Sequence, residues 1–281
     1  MRNSRKLFLF PRDNGSILIA ALWVMVFFVI LGLGVSSGVS TRIRILKKYE
    51  ELVLGWPLAR SAALEVIDER QEPVEEYDAF IDLGRSRVFA AGSGKAEYVL
   101  ADESARINVN TATQEILVGI PGISQAIAEN IISSARPYAV LEELRLVEGV
   151  TSEVWAQCRE YLTVYGESKI NINTASSVVL AALGFDVNLV QAVLAVRAGA
   201  DEIEGTEDDV FFESADALPA TLSNETMLGQ SQLALLQSLS GLLDVKSSAL
   251  RVQVRTYVLG RRGVDYEVVV DQEKILSWRE Y

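Results

Sequence analysis

The segment from Ala200 to Asp209 concentrates oxygen ligands in ten residues. Its six carboxylates belong to Asp201, Glu202, Glu204, Glu207, Asp208 and Asp209, with Gly205 and Thr206 among them. Crowded carboxylates repel one another unless water solvates them or a cation bridges them. Ca²⁺ accepts about six to eight such oxygens with loose geometry, although this spacing is not that of an EF-hand. The segment, which we call the acidic loop, is therefore either a calcium site or a solvated acidic turn.

The rest of the composition excludes several kinds of catalytic site. The chain has no histidine and one cysteine, Cys158. Ser-His-Asp triads, Cys-His dyads, histidine-containing zinc sites and disulfides within the chain are therefore excluded. A calcium-dependent, membrane-tethered hydrolase acting through carboxylates is conceivable, but the sequence positions no acid/base pair for it. We expect a protein that is not an enzyme.

A second candidate for chemistry is the peptide bond between Gly15 and Ser16. The basic residues before it are Arg2, Arg5, Lys6 and Arg12. An apolar run, Ile17–Val35, follows it, and the next charged residue is Arg42. A secretory signal has its small-residue cleavage site after the apolar run, whereas here the small residue precedes it. Cleavage at this bond would leave the apolar run at the start of the mature chain. A plain signal anchor is the alternative.

The apolar run has the length of a membrane span. Nineteen residues form a helix of about 28 Å, which matches the hydrocarbon core of a bilayer. The basic residues before it predict a cytoplasmic N-terminus. Beyond it, helical spacing continues through Ile43, Leu46, Tyr49, Val53, Ala59, Ala63 and Ile67. We expect one long helix whose first half spans the membrane.

Two predicted hairpins, far apart in the sequence, indicate a sheet that is split by the residues between them. Val88–Ala91 and Glu97–Ala101 flank a glycine-rich turn, and residues 250–258 and 264–270 form a second hairpin pattern. The region between them, from 105 to 245, has helical patterns. The sequence predicts an α+β fold, in which the long N-terminal helix packs on an antiparallel sheet and an all-α domain is inserted in that sheet.

The predicted organisation has five parts. They are a leader (1–15), a transmembrane helix (16–40), the first part of the α/β domain (41–104), the helical insertion (105–245) and the C-terminal strands (246–281).

The insertion contains a repeat. Arg106-Ile-Asn-Val-Asn-Thr-Ala112 returns as Lys169-Ile-Asn-Ile-Asn-Thr-Ala175. We expect Asn110 or Thr111 in the first copy, and the equivalent Asn173 or Thr174 in the second, to cap a following helix. Identical caps indicate a structural device rather than a catalytic one.

The same region resembles helix-hairpin-helix modules. Ile120-Pro-Gly-Ile-Ser124 fits the hairpin of that motif, and Leu144–Thr151 forms a looser copy. DNA-binding members hold a phosphate on backbone amides beside two glycines, but Ser124 and Thr151 replace the second glycine here. Residues 105–165 carry four arginines against seven glutamates and no lysine. We therefore expect no nucleic-acid partner, and a membrane-anchored DNA receptor of the competence type is kept as the alternative function.

The order of these features resembles the K-type minor pseudopilin of type II secretion (general secretion pathway protein K), within the type IV pilin class. Gly15 precedes the apolar run, and the fifth residue after it is Ala20, where most pilins carry a glutamate. The insertion also has the Leu-Glu-Glu-Leu stretch 141–144 and the Tyr-Leu-Thr-Val-Tyr stretch 161–165. Ser16 as first mature residue and Asp13 near the cut depart from the family pattern.

The resemblance implies a specific role. A prepilin peptidase would cleave after Gly15 and methylate Ser16, and the lack of glutamate at Ala20 would suit a subunit at the fibre tip. The implied partners are I- and J-type minor pseudopilins and the inner-membrane secretion platform. The implied location is the Gram-negative inner membrane, with a single span, a cytoplasmic N-terminus and a periplasmic soluble domain.

The resemblance also favours calcium over the solvated turn. K-type pseudopilins are thought to bind calcium in their helical domain, and Gly205–Asp209 with Phe212 resembles a recurring family segment. The expected Ca²⁺ ligands are Asp201, Glu204, Thr206, Asp208 and Asp209.

Overall fold

A single helix, α1, runs from Asn14 to Gln71. The computed structural model describes residues 14–71, 78, 83–134, 136–225 and 227–281, and it divides the chain into two compact units, Met1–Val53 and Leu54–Tyr281. Most of the predicted leader therefore lies outside the described residues, and Gly15 and Ser16 are described only as helical backbone.

The first unit contains the part of α1 that is suited to a membrane. By length and composition, the helix from Ile17 onward is long and apolar enough to cross a bilayer. Its side chains have no protein core around them, since large residues such as Trp23 and Phe28 are more than 60% exposed. Exposed apolar side chains in such numbers are typical of a surface that meets lipid or another helix.

In the second unit, five strands form an antiparallel sheet. The strands are β1 (Arg87–Ala91), β2 (Gly94–Asp102), β7 (Leu250–Val258), β8 (Arg261–Val270) and β9 (Ile275–Glu280). They lie in the order β1-β2-β7-β8-β9. Alternate residues of β2 and β7 are buried, as expected for strands with one face on a core. The two predicted hairpins are β1–β2 and β7–β8, and they are neighbours because β2 pairs with β7.

The last part of α1 lies on this sheet. Its buried face consists of Leu58, Ala59, Ala62, Ala63, Val66 and Ile67. Small residues allow close approach: a Cβ on Gly94 would lie 2.5 Å from Leu58 Cδ1, and a Cβ on Gly55 would lie 3.1 Å from Thr256 Oγ1. The Tyr98 hydroxyl donates to Glu65 over 3.2 Å on the same side.

The insertion leaves and re-enters the sheet at one point. Asp102 at the end of β2 is the register partner of Leu250 at the start of β7. Residues 103–249 therefore lie between two adjacent strands without separating them. This arrangement confirms the predicted α+β fold with a helical domain inserted in the sheet.

The helices of the insertion are short. They are α2 (Gln114–Val118), α3 (Gln125–Ser133), α4 (Ser152–Cys158), α5 (Ser177–Ala182), α6 (Val187–Arg197), α7 (Leu218–Glu225) and α8 (Gln230–Leu239). Two parallel pairs that the sequence did not predict accompany them: β3 (Ile107–Asn108) with β4 (Leu162–Thr163), and β5 (Ile170–Asn171) with β6 (Leu243–Asp244). Each pair closes one copy of the repeat.

The second asparagine of each repeat binds a distant backbone. The Asn110 side chain accepts from Tyr138 N over 2.7 Å and donates to Tyr138 O over 3.0 Å. Asn173 makes the same two bonds with Phe212, at 2.8 and 3.0 Å. The repeated asparagines therefore anchor the segment that returns after the second helix of each copy.

The predicted helix caps are wrong by two to three residues. The N-cap of α2 is Thr113 and that of α5 is Ser176, and each hydroxyl accepts from the amide three residues later. Asn110 and Asn173 are unavailable as caps because their amides are used in the long-range bonds just described. The structural role predicted for the repeat holds, but different residues cap the helices.

Adjacent buried carboxylates fix the insertion to the sheet. Asp102 and Glu103 are 6% and 0% exposed. Asp102 accepts from Asn171 Nδ2 at 2.8 Å and Thr174 Oγ1 at 2.6 Å, both in the second repeat. Its other oxygen accepts from Ser104 N at 2.6 Å. This side chain therefore binds the second repeat to the end of β2.

Glu103 makes the corresponding bonds to the first repeat and to β7. It accepts from Arg251 Nε at 2.6 Å and Arg106 Nη1 at 3.1 Å, and Thr163 Oγ1 in β4 also donates to it. A buried carboxylate needs such partners because its desolvation is costly. The two neighbouring residues thus bind both copies of the repeat.

We expect Asp102→Asn to lower the free energy of unfolding by about 1–3 kcal/mol, because one acceptor oxygen becomes a donor amide facing donors. Burial raises the pKa of Asp102, whereas the hydrogen bonds that it accepts act to lower the pKa. Because the pKa of Asp102 is higher in the folded state than in the unfolded state, its contribution to stability is largest below about pH 4. That contribution is lost as the pH rises through the pKa of the folded state. The difference between wild type and Asp102→Asn should therefore shrink with rising pH, as urea denaturation in detergent would measure.

The exposed Asp216→Asn is the matched control, with an expected change within about 0.5 kcal/mol. A gap that widens with pH would contradict the raised pKa, and an Asp102→Asn variant as stable as Asp216→Asn would contradict the role assigned to Asp102.

Candidate functional site: the acidic loop and the paired hairpins

The acidic loop is folded around its own carboxylates. Asp208 Oδ2 accepts from the amides of Ala200 and Asp201, at 2.9 and 3.0 Å. Asp209 accepts from the amides of Gly205 and Thr206, at 2.7 and 3.3 Å. These bonds close the loop into a compact turn.

Thr206 lies between the two aspartates. Its hydroxyl is 2.7 Å from Asp208 Oδ1, 3.4 Å from Asp209 Oδ1 and 3.1 Å from Ile203 O. The bond from Thr206, followed by the backbone amides, lowers the pKa of Asp208 and favours its charged form. The structure therefore brings three of the five expected ligands, Thr206, Asp208 and Asp209, into mutual contact.

The other expected ligands lie at the edges of this group. Asp201 contributes its amide to Asp208, while its own carboxylate accepts from Ile203 N at 2.8 Å. Glu204 Oε1 lies 2.7 Å from Arg197 Nη2. Within the described residues no three or more carboxylate, cysteine or histidine side chains are grouped so as to hold a metal ion.

Arg197 is the functional residue that the sequence reasoning missed. It ends α6 and is only 3% exposed. Burial lowers its pKa, and the nearby carboxylates of Glu204 and Asp209 oppose that shift. A signal existed, because Arg197 is the one charged residue among eleven in α6.

The loop ends where the second repeat anchors it. Phe212 is 1% exposed and belongs to the core of the insertion, and its backbone is held by Asn173. The candidate cleavage bond at Gly15–Ser16 and Ala20 lie in α1, in the other unit. The two candidate sites are therefore separate.

The glycine of each helix-hairpin-helix copy packs against a helix of the other copy. Gly122 has φ +83°, and a Cβ there would lie 2.8 Å from Gln157 Oε1 in α4. Gly149 has φ +91°, and a Cβ there would lie 2.9 Å from Ile127 Cγ1 in α3. Both positions need glycine for the backbone conformation and for packing, so neither requires a phosphate ligand to explain it.

The residues that replace the second glycines are helix caps. The Ser124 hydroxyl accepts from Ile127 N and the Thr151 hydroxyl accepts from Val154 N, each over 3.3 Å. A side-chain acceptor at the N-terminus of a helix satisfies an amide that would otherwise be available to an anion. This geometry disfavours phosphate binding at either hairpin.

Comparison with known proteins gives one partial sequence match to a family model. Residues 102–163 match the helix-hairpin-helix motif family. That range begins at Asp102 and ends at the last residue of β4, so it spans the first copy of the repeat.

Curated relatives share part of the sequence. The chain is 26% identical over 157 residues to endonuclease/exonuclease/phosphatase family domain-containing protein 1 of Xenopus laevis, which is 46% of this chain and 28% of that protein. The rat and human proteins of the same name are 36% identical over 72 residues, 25% of this chain and 12% of theirs. The chain thus spans less than a third of the length of these relatives.

A solved structure shares nearly the whole fold. A chain in the crystal structure of the GspK-GspI-GspJ complex from the enterotoxigenic Escherichia coli type 2 secretion system matches with a TM-score of 0.62 and 15% identity. The match covers 85% of this chain and 99% of that chain. At this identity the likeness establishes the fold: a pseudopilin fold with a long N-terminal helix.

We expect Ser124→Gly/Thr151→Gly, which restores the motif glycines, to leave the protein unable to bind DNA. Ser124→Ala and Thr151→Ala should each lower the free energy of unfolding by about 1 kcal/mol through loss of a cap. Fluorescence anisotropy with a short duplex at low salt would test binding. Salt-dependent binding by the wild type would contradict the packing role and support a DNA receptor.

Proposed function

We propose that this protein is a non-enzymatic minor pseudopilin of a type II secretion system. It caps the tip of the periplasmic pseudopilus and helps to initiate its assembly. The observation that carries this proposal is the combination of a long apolar N-terminal helix with a sheet that receives a helical insertion between β2 and β7. The structural match to a chain of a secretion-system complex, which covers 85% of this chain, also supports the proposal.

Two features of the chain support a place at the tip. Ala20 offers no carboxylate to a neighbouring N-terminal amine, and a buried charge is retained in a membrane only for a partner. The insertion of residues 103–249 adds bulk at one end of the sheet. A subunit of this kind would engage neighbours on one side only.

The proposed partners are the I- and J-type minor pseudopilins, the inner-membrane secretion platform and a prepilin peptidase. The proposed location is the Gram-negative inner membrane, with a single span and a periplasmic soluble domain. Basic residues before the apolar run support a cytoplasmic N-terminus.

Processing at Gly15 is the most direct test of this class. Co-expression with a prepilin peptidase should give a mature chain that begins at Ser16 and carries one added methyl group, as intact-mass spectrometry would show. Gly15→Val should block cleavage because a side chain then occupies the position before the scissile bond. Gly32→Val is the control, since a Cβ there has no neighbour within 4 Å. A chain left intact, or cut after Val35, would contradict the proposal.

We also propose that the acidic loop binds Ca²⁺. The support is the donor set: Asp208, Asp209 and the Thr206 hydroxyl already converge, and hard oxygen donors suit this ion. Asp201 lies beside them, whereas Glu204 would first have to leave Arg197. When bound, the ion would supply positive charge that offsets carboxylate repulsion and stabilises the loop.

Calcium should raise the melting temperature of the wild type by about 5 °C or more at about a hundred times its Kd. Asp208→Asn/Asp209→Asn should abolish this shift, because it removes both converging carboxylates. Glu202→Gln/Glu207→Gln removes the same formal charge from the loop and should keep the shift. Scanning calorimetry with and without chelator would measure it. Equal shifts in all three proteins would identify the loop as a solvated turn.

A further inference from the structure

Arg197 is buried at the base of the acidic loop. Its Nη1 donates to Ala175 O at 2.6 Å and lies 3.4 Å from Ile172 O. Both carbonyls belong to the second copy of the repeat, in the turn that follows β5. Two backbone carbonyls, which carry no net charge, therefore fix one side of the guanidinium group.

On its other side the guanidinium meets the loop. Arg197 Nη2 is 2.7 Å from Glu204 Oε1, whose side chain is 33% exposed. An arginine that is 3% exposed needs a charged partner to offset its desolvation, and Glu204 supplies one. The ion pair joins the middle of the loop to the core of the insertion.

Hydrogen bonds also fix the residues that follow the loop. Val210 N donates to Arg197 O over 3.3 Å, which joins the residue after the loop to the end of α6. Two residues further on, Phe212 makes its two bonds with Asn173, in the turn that follows β5. The loop contains six carboxylates in ten residues and no lysine or arginine, so Arg197 supplies positive charge that the loop itself lacks.

We propose that Arg197 is the internal counter-ion of the acidic loop, and that it holds the loop closed without a metal. The arginine takes part of the role that a bound cation would otherwise fill. This inference does not depend on the proposed Ca²⁺ site, because it concerns the loop in the absence of divalent ions.

The test measures amide hydrogen exchange of the full chain in detergent with excess chelator. The reporters are the loop amides that donate to carboxylates, those of Ala200, Asp201, Ile203, Gly205 and Thr206. Arg197→Gln should lower their protection by about tenfold to a hundredfold, the range for losing hydrogen bonds to a charged group. Protection in α3, which belongs to the first repeat, should stay within about twofold.

A second substitution separates a counter-ion from a structural hydrogen-bond donor. Glu204→Gln alone should lower loop protection by about tenfold, since it removes the carboxylate that lies 2.7 Å from the buried Arg197. Arg197→Gln/Glu204→Gln should recover part of the protection lost in Arg197→Gln, because charge and counter-charge leave together. Arg197→Gln/Glu207→Gln removes a different loop carboxylate and should not recover it.

The outcomes are distinct. Recovery only in the double variant with Glu204 supports the counter-ion role. Unchanged loop protection in both single variants would overturn it, as would a double variant that exchanges as fast as Arg197→Gln. If Arg197→Gln fails to fold, Glu204→Gln still decides: wild-type protection in that variant would also overturn the proposal. A failure of Ca²⁺ to bind would leave all of these results unchanged.

Discussion

The rest of the second unit depends on the burial of two adjacent carboxylates at the end of β2. Asp102 and Glu103 point to different partners, the first to the second repeat and the second to the first repeat and β7. Removing one partner of a buried charge typically costs about 3–5 kcal/mol. The orientation of the insertion on the sheet is therefore set by charge satisfaction at the point where the chain leaves the sheet.

This constraint explains how a sheet can accept an insertion of this size. The register of β2 on β7 continues up to Asp102 and Leu250, so the insertion costs the sheet no ladder hydrogen bonds. A second connection joins β9 to the insertion, where Arg279 Nη2 donates to Glu142 at 2.6 Å. That pair is partly exposed and contributes less than the buried carboxylates.

Local patterns predicted most of the fold, and long-range contacts account for what they missed. Period-two alternation predicted the β7–β8 hairpin, and a glycine-containing turn between two short strands predicted β1–β2. Helical spacing predicted α1, and each of these signals lies in consecutive residues. The parallel pairs β3–β4 and β5–β6 are two residues long and carry no pattern of their own.

The candidate site shows the same division. Composition identified the acidic loop, but the caps were misplaced because Asn110 and Asn173 bind backbone 28 and 39 residues away. Arg197 was missed because its importance comes from its burial against Glu204 and against the turn that follows β5, and neither contact can be read from neighbouring residues. Residue type predicts which groups can do chemistry, whereas tertiary packing decides which of them meet.

The two copies of the repeat have diverged in chemistry while keeping one scaffold. They touch directly, since a Cβ on Gly119 after α2 would lie 2.5 Å from Ala182 Cα in α5. In the first copy, Gly122 and Gly149 pack against helices, and the segment that returns to Tyr138 after α3 is short. In the second copy, the returning segment carries the acidic loop between Arg197 and Phe212. Asn110 and Asn173 make the same pair of backbone bonds in the two copies, although only the second copy has the loop. The scaffold therefore does not need the loop. The loop is instead free to serve a separate purpose, on a body that the buried carboxylates hold rigidly to the sheet.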